Sequence, residues 1–322
     1  MSATDFNCLG LVGLGLIGSS IARAALDYNL AQTIVGYDSD EPTCRRFEDL
    51  GLAGACSADS PDILRDCDMV ILAVPIGAYA DVCREIAPVL KQGAILSDTG
   101  SVKKSAIAYM QAALPDHVHL VPGHPIAGTE HSGPDAGFAT LFDGRWCILT
   151  PEHDTDESAV ARCRAFWEGM GAKIQMMEAD HHDLVLGITS HLPHLIAYTI
   201  VGTADDLSED LKSEVIQFSA GGFRDFTRIA SSDPTMWRDI FLHNKQAVLN
   251  ILQRFTEDLT AMQKAIRRDN SIFLFDTFSR TREIRHRVIE AGQDAPSTPQ
   301  AVHGQQAGRS HTSGDPEHEG EV

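Results

Sequence analysis

Residues 8–23, CLGLVGLGLIGSSIAR, pass from a short apolar run through Gly13-x-Gly15-x-x-Gly18 into a helical pattern. Few local sequences constrain a fold so tightly. Gly13 permits the tight turn out of a strand, Gly15 lets the backbone approach a pyrophosphate, and Gly18 lets the helix pack closely on the strand it follows. The unpaired N–H groups of the helix start then face the anion. The same spacing also occurs in ordinary βα turns without a ligand. Here, however, a second strand-like run at 33–37 ends in Asp38, 20 positions past Gly18. That is where a carboxylate accepts a hydrogen bond from an adenosine ribose 2′-OH. Gly13, Gly15, Leu16, Ile17, Gly18 and Asp38 are therefore the candidate cofactor residues. A carboxylate at 38 repels a 2′-phosphate, and Arg45 and Arg46 come one or two helical turns later, so the expected cofactor is NAD rather than NADP.

The rest of the first half continues that pattern. Strand-like runs fall at 68–74, 94–97 and 117–121, with helical stretches at 41–50 and 78–90 between strands. Two further strands are expected at 146–150 and 173–177, with a helix at 156–169 between them. Continuous Val/Ile/Leu runs alternating with helices predict an α/β fold with a doubly wound (Rossmann) parallel sheet over residues 1–177. From 178 to 292 no strand pattern recurs. Helices are expected at 179–204, 207–218, 235–264 and 270–290, giving an all-helical second domain. Residues 293–322 are polar and acidic and read as a disordered tail.

Composition limits the partners. A chain of 322 residues with net charge −19 has nothing to neutralise a phosphate backbone or an anionic membrane. A small anionic substrate would need a local cluster of arginine or histidine. Seven cysteines without C-x-x-C or zinc spacing fit reduced thiols. With no signal-peptide pattern and no uninterrupted apolar stretch of membrane-spanning length, the expected location is the cytoplasm.

Four segments carry the candidate chemistry. Asp98-Thr-Gly-Ser-Val-Lys103 follows a strand that should end at the carboxyl edge of the sheet, where ligands sit. Ser101 there is either a hydrogen-bonding site residue or the N-cap of the next helix. His124-Pro-Ile-Ala-Gly-Thr-Glu130 is expected to hold a histidine on a loop beyond another strand, suited to proton transfer or merely exposed. In Ser190-His191-Leu-Pro-His194, helical spacing puts Asp183, Gly187, His191 and His194 near one stripe, and Pro193 is expected to kink the helix. The histidine pair suits a ligand better than a metal, since no third and fourth metal ligand accompanies it. Gly221-Gly-Phe-Arg224-Asp225-Phe-Thr-Arg228 offers two arginines suited to carboxylates or simply solvated, and Trp237 reads as core.

These motifs, in this order over residues 8–290, resemble the TyrA family of prephenate and arogenate dehydrogenases, most closely its bacterial cyclohexadienyl dehydrogenase type. The resemblance implies NAD-dependent oxidative decarboxylation of prephenate or arogenate in tyrosine biosynthesis, without a metal. It implies that His124 accepts the proton of the ring hydroxyl, which Ser101 shares, and that His194 and Arg228 hold substrate, with His191 beside them. Glu130 would lie near the pocket mouth. It also implies a homodimer through the helical domain, in which Arg228 or Asp225 could act across the interface. Two rivals remain: a β-hydroxyacid-type dehydrogenase, whose helix lysine has no counterpart between Lys173 and Lys212, and a non-catalytic NAD-binding regulator.

Overall fold

The structure is a computed structural model that describes residues 6–129, 131–206, 214, 217 and 221–290. Glu130, nearly all of the expected helix 207–218 and the tail 293–322 lie outside the described residues.

Six parallel strands form the first sheet: β1 Phe6–Val12, β2 Ala31–Tyr37, β3 Ala55–Ser57, β4 Met69–Leu72, β5 Ile95–Asp98 and β6 His119–Leu120. Their order is β3-β2-β1-β4-β5-β6, so the chain winds outward in both directions from β1. β4 and the second half of β1 are apolar throughout because both faces are covered. Met69 and Ile71 pack with Leu9, Ile21, Phe166 and Trp167 on one side, while Val70 and Leu72 pack with Tyr79, Ile86 and Met110 on the other. Helices α1 Leu16–Asp27, α2 Glu41–Asp49, α3 Tyr79–Ile86 and α4 Lys103–Ala113 connect these strands. Asp40 caps α2, accepting from Thr43 N–H at 3.0 Å, and Pro42 sits in its first turn.

A second sheet departs from the single sheet expected. Its strands are β7 Gly123–Pro125, β8 Trp146–Leu149 and β9 Lys173–Met176, with α5 Glu157–Gly169 between the last two. The loop expected around His124 is in fact strand β7, antiparallel to β8 with His124 opposite Ile148. A proline ordinarily argues against a strand, but β7 is an edge strand, where Pro125 need not donate to a neighbour.

The second half is helical: α6 Ala179–Leu186, a π-helical turn Gly187–His191, α7 Leu192–Asp205, α8 Gly221–Thr227, α9 Pro234–His243, α10 Lys245–Arg267 and α11 Ser271–Glu290. Pro193 falls in the first turn of α7, directly after the wider π turn, a position where its missing N–H and ring are tolerated. The expected helix 235–264 is also two helices. Asn244 breaks it, leaving helical geometry at φ −103°, ψ 28°, with its side chain turned inward. Taken as one element, 179–205 is long and apolar enough to cross a membrane by length and composition alone. Its buried residues include His182, Asp183 and His191, which belong to the candidate active site.

By compactness the chain divides after Thr256, within α10. Helices α6, α7 and α9 join the first unit through side chains that reach back to α4. Lys104 pairs with Asp180 at 2.6 Å, and Ser105 donates to the His243 carbonyl at 2.8 Å. Val102 packs with Trp237 and Ile240 in a small apolar cluster, so Trp237 is core as its sequence suggests.

Candidate active site

The glycine run makes the turn that its spacing predicts. Gly13, at φ +91°, leaves β1 in a conformation L side chains rarely adopt, and a Cβ there would meet the Ala73 carbonyl at 2.6 Å. A Cβ on Gly18 would lie 2.1 Å from the Gly13 carbonyl oxygen, so no larger residue fits that helix–strand contact. Gly15 is the N-cap of α1 and offers no side chain to its free N–H groups. A Cβ there would meet nothing within 4 Å. Asp38, at the end of β2, accepts from Leu14 N–H at 2.8 Å and Asp40 N–H at 3.0 Å. Two oxygens with four lone pairs retain room for a ribose hydroxyl. Leu16 and Ile17 are half-buried in the first turn of α1. These residues fit a dinucleotide with an unphosphorylated ribose, held by the N-terminus of α1 and by Asp38.

Along the same carboxyl edge, β5 ends in Asp98 and leads through Ser101 into α4. Ser101 is not the N-cap. Val102 occupies that position and has no capping side chain. The cap comes from far away in sequence: Asp183 on α6 accepts from Lys103 N–H at 2.7 Å and Lys104 N–H at 3.0 Å. Ser101 is half-buried at the mouth of this junction.

Lys103 turns inward from α4. Its ammonium donates to Asp98 Oδ2 at 2.5 Å and to the Gly123 carbonyl at 2.6 Å, and both side chains of the ion pair are fully buried. Asp98 also accepts from Tyr79 O–H at 2.9 Å, Gly100 N–H at 2.9 Å and Gly123 N–H at 3.0 Å. Every polar atom of the pair is thus engaged, as burial of charge demands. The pair clamps β5 to β7 one residue before His124.

His124 is buried, with Nδ1 2.8 Å from His182 Nε2, and His182 Nδ1 is 2.9 Å from Asp183 Oδ1. Burial first, then the charges of His182, Lys103 and His191, pushes His124 well below the usual imidazole range. It is neutral near pH 7, as a proton acceptor must be. Burial also lowers His182, opposed by its bond to Asp183.

The structure brings the remaining histidines and Arg228 into one neighbourhood. His191 in the π turn is completely buried and pushed down to about 4, chiefly by burial. Asn244 Nδ2 donates to its Nδ1 at 3.0 Å and to the Asp183 carbonyl at 2.8 Å. The Ser101 backbone lies close by and raises the imidazole's affinity for a proton. These contacts put His191 in the wall behind the site. His194, one turn on, is half-buried and lies flat on Trp237, with ring centroids 3.7 Å apart at 23°. Its Nδ1 donates to the Ser190 carbonyl at 2.9 Å, leaving Nε2 for a ligand. Burial and then the nearby Arg228 charge lower its pKa. Arg228 opens a short 3₁₀ turn, Arg228–Ser231, after α8. The close approach expected at Gly187 is by Ile251 of α10, whose Cδ1 would lie 2.6 Å from a Cβ there.

Sequence reasoning passed over His182, Lys103, Asp98, Tyr79 and Asn244 as site components. His182 is half of a His-His pair beside Asp183, the one local signal that could have drawn attention.

Comparison with known proteins places this geometry. Residues 21–176 match the nucleotide-binding domain of the prephenate dehydrogenase family, and residues 178–280 match its dimerization domain. The chain is 43% identical over 282 residues to a cyclohexadienyl dehydrogenase of Zymomonas mobilis, covering 88% of this chain and 96% of that protein. It is 34% identical over 277 residues to a prephenate dehydrogenase of Bacillus subtilis, covering 85% and 74%. Among solved structures, a prephenate dehydrogenase from Aquifex aeolicus in complex with hydroxyphenyl propionate and NAD+ superimposes with a TM-score of 0.82 at 32% identity, covering 88% of this chain and 98% of that one.

Proposed function

The chain belongs to the prephenate dehydrogenase family, and from that membership we propose that it oxidatively decarboxylates prephenate, arogenate or both with NAD, in tyrosine biosynthesis. The observation that carries this reading is a buried histidine on β7 linked through His182 to Asp183, the carboxylate that also caps α4 just after Ser101. The substrate is a cyclohexadienol bearing a ring carboxylate and a pyruvyl (prephenate) or alanyl (arogenate) side chain.

Bound NAD, held by the glycine turn and Asp38, supplies the acceptor for the hydride leaving the carbinol carbon. His124 takes the hydroxyl proton at Nε2, the ring nitrogen not engaged by His182. Ser101 shares the same hydroxyl and orients it. As the carbinol becomes a ketone, the ring carboxylate leaves as CO2, its bonding electrons complete the aromatic ring, and the resulting phenolate oxygen takes a proton back from His124. Aromatisation makes the step irreversible, so the protein has only to align the carbinol and remove one proton. Arg228 suits a substrate carboxylate, being planar and permanently charged. His194, fixed by Ser190 and Trp237, presents Nε2 to the same end.

Residues 1–177 then serve the dinucleotide and 178–292 the substrate and a homodimer. α11 exposes Ile272, Phe275 and Phe278, an apolar surface that a second copy would cover. The working location is the cytoplasm. Incubation of the purified chain with NAD and either substrate, followed by NADH absorbance, tests the reading: turnover of at least one is expected. NAD binding without turnover of either would instead indicate a regulator.

A further inference from the structure

We propose that Asp183 and His182 are positioning residues for the reaction: through Asp183 Oδ1···His182 Nδ1 and His182 Nε2···His124 Nδ1 they hold His124 with its hydrogen on Nδ1 and its Nε2 lone pair toward the substrate hydroxyl. The proposal rests on the reading of His124 as proton acceptor and adds which atoms make it one.

The assignment comes from counting donors. Three groups converge on the Asp183 carboxylate: the N–H groups of Lys103 and Lys104 at 2.7 and 3.0 Å, and His182 Nδ1 at 2.9 Å. A carboxylate only accepts, so His182 Nδ1 carries the hydrogen. A neutral His182 then has a lone pair at Nε2. The 2.8 Å contact to His124 is therefore donated by His124 Nδ1, which leaves His124 Nε2 as the acceptor. No tautomer remains to choose.

The same carboxylate has a second effect. By capping α4 it fixes the start of the helix that begins just after Ser101, and through His182 it fixes the ring of His124. One group thus sets the spacing between the two side chains assigned to a single hydroxyl. The other groups facing His124 are His191 from the π turn, Lys103 from α4 and Cys147 from β8, whose thiol burial keeps protonated, while Asp98 from β5 acts on Cys147 and His182. None of them supplies an acceptor to His124 Nδ1. When His124 gains the substrate proton, both its nitrogens carry hydrogen, and the positive ring is linked through neutral His182 to the Asp183 carboxylate.

Asparagine at 183 cannot accept from all three donors. It must turn its NH₂ either toward Lys104 N–H or toward Lys103 N–H and His182. The second choice reverses the tautomers along the chain. Asp183→Asn in the full chain should lower kcat by about 10²–10⁴-fold, the usual worth of a correctly presented base. Substrate KM and the dissociation constant for NAD should stay within a few-fold. His182→Leu leaves the α4 cap intact, so it keeps the test valid if Asp183→Asn folds poorly, and it should show the same split. His182→Gln, whose amide oxygen can take the place of Nε2, should recover kcat at least ten-fold over His182→Leu. Nitrogen-15 NMR of ring-labelled histidine should show His124 Nε2 without a proton in wild type and a tautomer mixture in Asp183→Asn. Wild-type kcat in His182→Leu, with His124→Asn inactive, would overturn the proposal, as would a protonated His124 Nε2 in the neutral wild-type enzyme. Wild-type kcat in His124→Asn would instead overturn the reading beneath it.

Discussion

The Lys103–Asp98 pair offers a test in which stability and catalysis move together. Lys103→Met keeps the aliphatic stem but removes the ammonium. Asp98 would keep Tyr79 O–H, Gly100 N–H and Gly123 N–H, yet its charge would lie fully buried with no counter-charge. The Gly123 carbonyl would lose its donor as well. Breaking a buried pair from one side costs about 3–5 kcal/mol. For a folding unit of this size that corresponds to a fall in Tm of roughly 6–20 °C. Removing both charges, as Lys103→Met with Asp98→Asn, should cost less than the two single changes summed, with a coupling energy of about 2 kcal/mol or more. Urea unfolding of the four proteins at pH 7 measures this. The same substitution should displace the acid limb of kcat/KM. The Lys103 charge is one of the causes holding His124 below the ordinary imidazole range, so its loss should move that limb to higher pH. A Lys103→Met protein within about 1 kcal/mol of wild type, or strict additivity in the cycle, would refute the claim that this pair is desolvated and mutually dependent.

The site carries other expected outcomes. NAD should be preferred over NADP, and Asp38→Ser should narrow the ratio of kcat/KM by roughly 10- to 100-fold, the worth of one charge-assisted hydrogen bond; equal use of NADP by the unmodified enzyme would contradict this. Arg228→Ala should raise KM by a similar ~10- to 100-fold with a smaller effect on kcat, and Arg228→Lys should rescue only in part; an unchanged KM would move the anchor to Arg224. Stability should fall as pH drops from 7 to 5. His124, His182, His191 and His194 all have lowered native pKa values, so the unfolded chain binds more protons in that range. His191 alone, at about 4 against 6.5, should account for about 2 kcal/mol at pH 5, and His191→Gln should flatten the slope measured by urea titration.

What the sequence made legible was set by local backbone demands. The turn at Gly13 and the close contact at Gly18 need glycine wherever that junction is built, and strands buried on both faces need unbroken apolar runs. His124, Ser101, His194 and Arg228 stood out because each sits in a distinctive short motif. Features that depend on distant partners were not legible. Nothing near Lys103 announces that its helix is capped from 80 residues away. β7 is three residues long and contains a proline, so only its pairing with β8 reveals a strand. Asn244 interrupts an apparently continuous helical pattern because its amide is needed by His191 and the Asp183 carbonyl.

The π turn at Gly187–His191 gives this protein a rotational address. Along an ordinary helix each residue turns about 100° about the axis and rises about 1.5 Å. The wider turn adds a residue without adding a full step of ordinary winding, and so sets a fixed angular offset between α6 before it and α7 after it. His182 and Asp183 lie on one side of that offset and His194 on the other. The proton-accepting end and the substrate-holding end of the site are therefore phased by a single inserted residue. Deletion of Ile188 or Thr189 would leave every functional side chain in the polypeptide and a better-formed helix besides. It would still swing one end of the site out of alignment with the other. Substitutions in this turn and changes in its length are thus different kinds of lesion, and the second is the one that the architecture cannot absorb.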